Sequence, residues 1–465
     1  MKWIARILIL LLLLAGTGWL FRDSLILHLP GIVDGWRNPV GPTRTVSWGQ
    51  GPAQPTIPAA QRPPNVVLIL ADDLGFNDIS FWGGGLADGR VPTPHIDAIG
   101  REGVAFGNAY AGNGTCAPSR AAIMSGRYPT RFGFEFTPTP PRMMPIIARL
   151  YAQQPRLREP VFYQDRVDEA LPFAEMGMPP SEISLAELLQ GADYYTAHIG
   201  KWHLGRTNGM APHEQGFEHS LLMASGKYLP DDHPDVVNAR QDFDPIDRFL
   251  WPTLKHAASF NGSGRFAPPG YITDYYTDEA IEVIENNRHR PFFLYLAHWA
   301  PHTPLQALAS DYAALDFIED HRLRVYAAMT RALDRSVGRV LEALRANGLE
   351  DNTLVIFSSD NGGAGYIGLP DINAPYRGWK ITFFEGGIHV PLFMKWPQQI
   401  PAGSRYDAPV HHFDLYATAA AAAGTALPDD RPMDGRDLLP HVRGEIATPP
   451  HEALFWRQGH YQVVI

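Results

Sequence analysis

Three apolar runs of strand length set the pattern of this chain: Asn65-Val-Val-Leu-Ile-Leu-Ala71, Pro291-Phe-Phe-Leu-Tyr-Leu-Ala297 and Thr353-Leu-Val-Ile-Phe-Ser-Ser359. They lack the polar alternation of a half-exposed strand, as strands buried on both faces of a sheet should. Between them the apolar spacing turns helical, over residues 96–103, 184–189, 277–286 and 323–347. Strands alternating with helices predict an α/β fold with a largely parallel central sheet flanked by helices. Each run also ends in polar residues: Asp72-Asp73, then His298 and His302, then Asp360-Asn361. In such sheets ligands gather beyond the carboxyl ends of the strands.

Asp72, Asp73 and Asp360 converging with Asn361 at one sheet edge would repel unless a cation sits among them. All four offer hard oxygen ligands, which suit Ca²⁺ or Mg²⁺ and argue against zinc. A second candidate centre is Asn113-Gly-Thr-Cys-Ala-Pro-Ser-Arg120, which holds the only cysteine, Cys116. Pro118 suits a first helical turn, and Ser119-Arg-Ala-Ala-Ile-Met124 reads as the helix that follows. That places Cys116 at a helix N-terminus, where free amides and the dipole favour an anion. Arg120, one turn on, adds a fixed cation with fork-like donors. In Gly200-Lys-Trp-His-Leu-Gly205, Lys201 and His203 would project the same way if the run is extended.

Composition narrows the class. The chain has 465 residues, 45% of them hydrophobic, enough for one large globular domain or two. Its 39 Lys and Arg against 49 Asp and Glu give a net charge of −10, which excludes a nucleic-acid partner from the leading readings. One cysteine rules out an internal disulfide. Lys2 and Arg6 precede the aliphatic run 7–14 and its continuation to Phe21. This is the form of an export signal or N-terminal anchor, and an uncleaved membrane anchor over residues 1–30 is expected, with the bulk exported to the periplasm or otherwise outside the cytoplasm. Residues 31–64, rich in Pro and Gly, read as an extended tether, and the catalytic body as 65–445. Residues 454–456 and 461–465 look like two strands that start a small antiparallel C-terminal subdomain, 446–465. The chain stops inside the second, and an apolar strand left without a partner would be an aggregation-prone edge. The long segments 137–180 and 228–271 break the strand–helix pattern and are expected to wall a substrate cleft.

The Cys-x-Pro-Ser-Arg motif followed by a short helix and Gly126-Arg127 resembles the signature of the sulfatase family, of alkaline phosphatase-like fold. Further motifs follow in family order from about residue 65 to 440: Gly-Lys-Trp-His-x-Gly at 200–205, Pro-His-x-Pro at 301–304, and Tyr376-Arg-Gly-Trp-Lys380 with Phe384-Glu-Gly-Gly-Ile-His-Val-Pro391. Trp379 stands where the family has Gly and Phe384 where it has Trp, which bears on the path of that loop. His389 stands where the family often has Arg and is given no role. His298 falls outside the Pro-His-x-Pro pattern and is read as structural.

The resemblance implies that another enzyme converts Cys116 to formylglycine, whose hydrate is the nucleophile. It implies Ca²⁺, more than Mg²⁺, held by Asp72, Asp73, Asp360, Asn361 and the modified Cys116. Arg120, Lys201 and Lys380 would hold sulfate oxygens, His302 would protonate the leaving alcohol and His203 would take the remaining hydroxyl proton. The expected substrate is a sulfated small molecule or glycan. Two alternatives stand beside it: a phosphoester or phosphonate monoester hydrolase of the same superfamily, and a non-catalytic, membrane-tethered binder of sulfated glycans in which Cys116 stays a thiol.

Overall fold

The computed structural model describes residues 3–4, 6–7, 16, 21–58, 61–141, 143–152 and 163–465. The expected anchor falls mostly outside these. Among the described residues no helix is long and apolar enough to cross a membrane.

Nine strands form the central sheet: β1 (Asn65–Ala71), β2 (Val104–Phe106), β3 (Tyr195–Gly200), β4 (His219–Gly226), β5 (His256–Phe260), β6 (Phe292–Ala297), β7 (Thr353–Ser359), β8 (Leu392–Lys395) and β9 (Ser404–Tyr406). Their order is β9-β2-β8-β7-β1-β6-β3-β4-β5. The five strands β7, β1, β6, β3 and β4 run parallel, while β5 and β8 add antiparallel neighbours. The three apolar runs are thus β1 and its two neighbours, β6 and β7.

Every residue of β1 is buried, which explains its lack of alternation. Successive side chains serve opposite faces of the sheet. Val67 and Ile69 join one core with Ile272 and Tyr276 of helix α6 (Ile272–Asn286) and Val325, Met329 and Leu333 of α7 (His321–Ala346). Val66, Leu68 and Leu70 join the other, with Ala117, Ala121 and Met124 of α3 (Cys116–Ser125) and with Leu185 and Leu189 of α4 (Leu185–Gln190). Helix starts are specified locally: Asp320 accepts from the Leu323 N–H at 2.8 Å, and Ser184 and Glu187 form a capping box.

Residues 38–58 contain no helix or strand but lie against the body. Trp48 is buried and donates its indole N–H to Glu279, and Gly41 pairs with Phe266. Before them α1 (Arg22–Arg37) packs on α5 (Pro245–Thr253), burying Leu27 with Ile147, Leu150 and Phe249. Gly31 is required there, since a Cβ would stand 2.1 Å from the Pro252 carbonyl oxygen. At the other end, Phe455–Gln458 and Tyr461–Val464 pair with each other as an antiparallel hairpin, so neither apolar strand lacks a partner. Trp456 anchors it by donating to the Ala111 carbonyl.

Candidate active site

Register brings the polar clusters together. Ala71 pairs with Ser359, Leu70 with Ala297, and Gly200 with Ala297. Residues just beyond these positions therefore emerge at one edge of four adjacent strands: Asp72 and Asp73 after β1, Asp360 and Asn361 after β7, His302 after β6, Lys201 and His203 after β3. Lys201 follows Gly200, whose φ of +110° and whose absent Cβ, which would lie 1.9 Å from the Ala297 oxygen, admit no other residue.

Helix α3 faces this edge. Its N-cap is Thr115, Cys116 is its first residue, Pro118 sits in the first turn, and Gly126 closes it in the left-handed region. Ser119 fixes its place: the hydroxyl accepts the Gly112 N–H and bonds His412 Nδ1, while His412 Nε2 reaches Ser358 of β7. Cys116 Sγ lies 3.7 Å from Asp72 Oδ1 and 3.8 Å from Asp73 Oδ1. Ligating atoms of Asp72, Asp73, Cys116 and His302 fall within 4.8 Å of one another, all four residues buried.

The cations interleave with the acids. Lys201 Nζ is 2.6 Å from Asp72 Oδ2, and Lys380 Nζ is 2.7 Å from Asp73 Oδ2 and 3.1 Å from His302 Nε2. Arg120 is fully buried, and its hydrogen bonds depart from the expectation that it holds sulfate. Nε donates to Asp360 Oδ2 at 2.9 Å, Nη2 to Asp72 Oδ2 at 3.1 Å, and Nη1 to the Lys201 carbonyl at 2.8 Å. Its fork clamps the carboxylates and the lysine loop, since a guanidinium with no exposed surface satisfies its donors inside the protein.

Lys201 and His203 also depart from the extended geometry expected of them. His203 has a φ of +66°, so the chain turns sharply after Lys201. Both nevertheless line one cavity. His203 Nδ1 is buried without a hydrogen-bond partner among the described residues. His298 is fully buried against Ser336 Oγ at 2.8 Å, consistent with a packing role, and His389 is held by Glu385 and the Gly107 carbonyl. Trp379 is half exposed and overlies Gly365, while Gly378 turns at φ +92° to bring Lys380 in.

Burial sets the electrostatics. Asp72 is pushed up to about 7, by burial first and then by Asp360, against the opposing pull of Lys201 and Arg120. Burial, with Asp360 adding to it, raises the Cys116 thiol far above its ordinary value, overriding the helix N-terminus that favours an anion there. Burial, then Lys380 and Lys201, holds His302 well below the usual histidine range. Its Nδ1 lies 2.5 Å from the Thr303 carbonyl, so in the neutral ring that nitrogen carries the proton and Nε2 faces the site.

A divalent hard cation fits this donor set. The amide oxygen of Asn361 is buried without a hydrogen-bond partner among the described residues, while its Nδ2 donates to Asp73 Oδ1 at 2.7 Å. Three buried carboxylates already balance Arg120, Lys201 and Lys380, so a divalent ion would leave the site net positive toward an anion.

Three neighbours did not stand out in the sequence. Trp299 stacks on His302 at 3.8 Å between ring centroids, with Lys201 Nζ 4.7 Å from its own. The Tyr366 hydroxyl lies 3.4 Å from Asp73 Oδ2, and that of Tyr295 3.4 Å from Arg120 Nη1. Tyr295 alone left a local signal, as the one polar tip in an apolar strand.

A family model, Sulfatase, matches residues 64–425. The chain is 33% identical over 409 residues to human N-acetylgalactosamine-6-sulfatase, covering 86% of this chain and 69% of that protein. It is 32% identical to steryl-sulfatase of Mus musculus, covering 85% and 68%. Its fold matches the crystal structure of Ps i-CgsB in complex with k-i-k-neocarrahexaose with a TM-score of 0.69 and 31% identity, covering 87% of this chain and 82% of that one.

Proposed function

Because this chain belongs to the sulfatase family, whose members are sulfuric ester hydrolases, we propose that it hydrolyses a sulfate ester at the edge formed by β7, β1, β6 and β3, with residue 116 as formylglycine and Ca²⁺ bound. The observation that carries this is the position of Cys116, first in its helix, 3.7 Å and 3.8 Å from the Asp72 and Asp73 carboxylates and backed by Lys201 and Lys380. Formylglycine supplies a hydrate hydroxyl as nucleophile, and Ca²⁺, which Asp72, Asp73, Asp360, Asn361 and residue 116 would hold, supplies charge neutralisation.

The remaining work falls to the chain's own side chains. Lys201 and Lys380 hold sulfate oxygens with ammonium donors fixed by Asp72 and Asp73, and so meet charge where it develops. Arg120 keeps the carboxylates in place behind them. His302 carries the proton toward the leaving alcohol at Nε2, its ring held by Trp299 and the Thr303 carbonyl. Bound sulfate raises its proton affinity. His203, facing the cavity, takes the proton of the remaining hydroxyl. The body works outside the cytoplasm, a placement supported by the basic-then-apolar N-terminus.

The test is turnover of matched phenyl sulfate and phenyl phosphate by chain purified from a host with a sulfatase-maturing enzyme. The two esters differ by about one charge near neutral pH. We expect the sulfate to be preferred and Cys116→Ala to abolish turnover while leaving the fold intact. Preference for the phosphate, or a Cys116→Ala variant of near-normal activity, overturns the assignment.

A further inference from the structure

The cavity that opens on Lys201 and His203 has a volume of about 1130 Å³, more than the sulfate-bearing group alone requires. Both long segments line it, through Pro138 and Ile146 and through Phe249 and Leu250, and so does α1, through Pro30, Asp34 and Arg37. Its charge is opposite to that of the whole molecule. In a chain of net charge −10, the charged side chains lining this cavity among the described residues are Lys201, Arg37, Arg206, Arg265 and one carboxylate, Asp34.

Asp34 is already engaged. It accepts from Arg265 and from Asn38. No carboxylate lies within ion-pair distance of Arg206 among the described residues, and its guanidinium only approaches the ring of Phe173, at 5.9 Å. Arg206 comes three residues after His203, lines the cavity with it and with Arg265, and acts electrostatically on His203 and on Asp34. An arginine without an acid at ion-pair distance, in a cavity that meets the oxyanion site at Lys201, His203 and Trp299, is suited to a second oxyanion through bidentate donors.

Resting on the sulfate-ester reading, we propose that Arg206 is the recognition site for a second acidic group, a carboxylate or a sulfate, on the same saccharide whose scissile sulfate lies against Lys201. The substrate class is then an acidic sulfated oligosaccharide. Helix α1 belongs to this binding site, because Asp34 holds Arg265 and leaves Arg206 free for the ligand.

Calorimetry on the full-length Cys116→Ala chain with Ca²⁺ tests this without turnover. The probes are one disaccharide in three forms: monosulfated and otherwise neutral, monosulfated with a uronate, and disulfated. At least one two-acid form should bind about 10- to 100-fold more tightly than the neutral one, and Arg206→Gln in the same background should remove that advantage. The affinity of the two-acid form should also fall more steeply with salt than in the Arg206→Gln protein. Arg206→Lys should restore part of the advantage, which a merely structural loss would not allow. Which two-acid form gains identifies the second group. Equal affinity for all three forms, or an advantage that survives Arg206→Gln with its salt dependence unchanged, overturns the proposal. Phenyl sulfate turnover by the mature wild-type chain, measured in parallel, reports separately on the sulfate-ester reading.

Discussion

Lys380 Nζ stands 2.7 Å from Asp73 Oδ2 and 3.1 Å from His302 Nε2, so one ammonium joins a carboxylate of the cation cradle to the candidate proton donor. Lys380→Met removes a fixed charge from where the sulfate would sit. We expect kcat to fall about 10²- to 10³-fold. Lys380→Arg should not restore it, since a planar fork cannot take the place of a compact ammonium at that spacing. Steady-state kinetics of both variants check this, and an active Lys380→Arg enzyme would remove Lys380 from the sulfate clamp.

Arg120 has a different part. It is fully buried between Asp72 and Asp360, and removing one partner of a buried ion network leaves uncompensated charge. Arg120→Met should destabilise the calcium-free protein by about 3–5 kcal/mol in denaturant unfolding. Added Ca²⁺ should recover part of the loss. A variant as stable as wild type without calcium would show that the carboxylates do not depend on it.

The unpartnered amide oxygen of Asn361 gives the metal reading its own test. Ca²⁺ at about 100 times its dissociation constant should stabilise the wild type by about 2.7 kcal/mol. Asn361→Leu should lose most of that gain, because it removes one oxygen ligand from the cradle. Equal calcium-induced melting shifts in both proteins would place the ion elsewhere.

Burial pushes His298 down to about 3, well under its unfolded value of roughly 6.5. The unfolded chain therefore binds a proton there between those pH values and the folded chain does not, so this site's contribution to stability is lost as pH falls from about 6.5 toward 3. Relative to wild type, His298→Gln should gain on the order of 2 kcal/mol on going from pH 7.5 to pH 5. Urea unfolding of both proteins at the two pH values measures the difference, and a pH-independent gap would mean that His298 is not held neutral.

Much of the fold and site was legible because β1, β6 and β7 are buried on both faces, which makes them continuous apolar runs with a sharp polar end. Asp72, Asp73, Asp360 and Asn361 sit at those ends, so register alone gathers them. What the sequence hid depends on contacts distant along the chain. Trp48 lies in a stretch without periodicity, yet Glu279 and the core hold it, so a segment read as a tether is packed on the body. His203 and Lys201 share the cavity through a positive φ rather than through strand alternation. Arg120 carries the signature of an anion binder, and only its full burial shows that its donors are spent on carboxylates. Trp299 and Tyr366 reach the site from positions that no local pattern marks.

The most direct measurement is the mass of the tryptic peptide of residues 102–120 from protein purified from its native host. The account expects an aldehyde at position 116 in the active material, in an amount that tracks specific activity toward a sulfate ester. An unmodified thiol in fully active protein would contradict it.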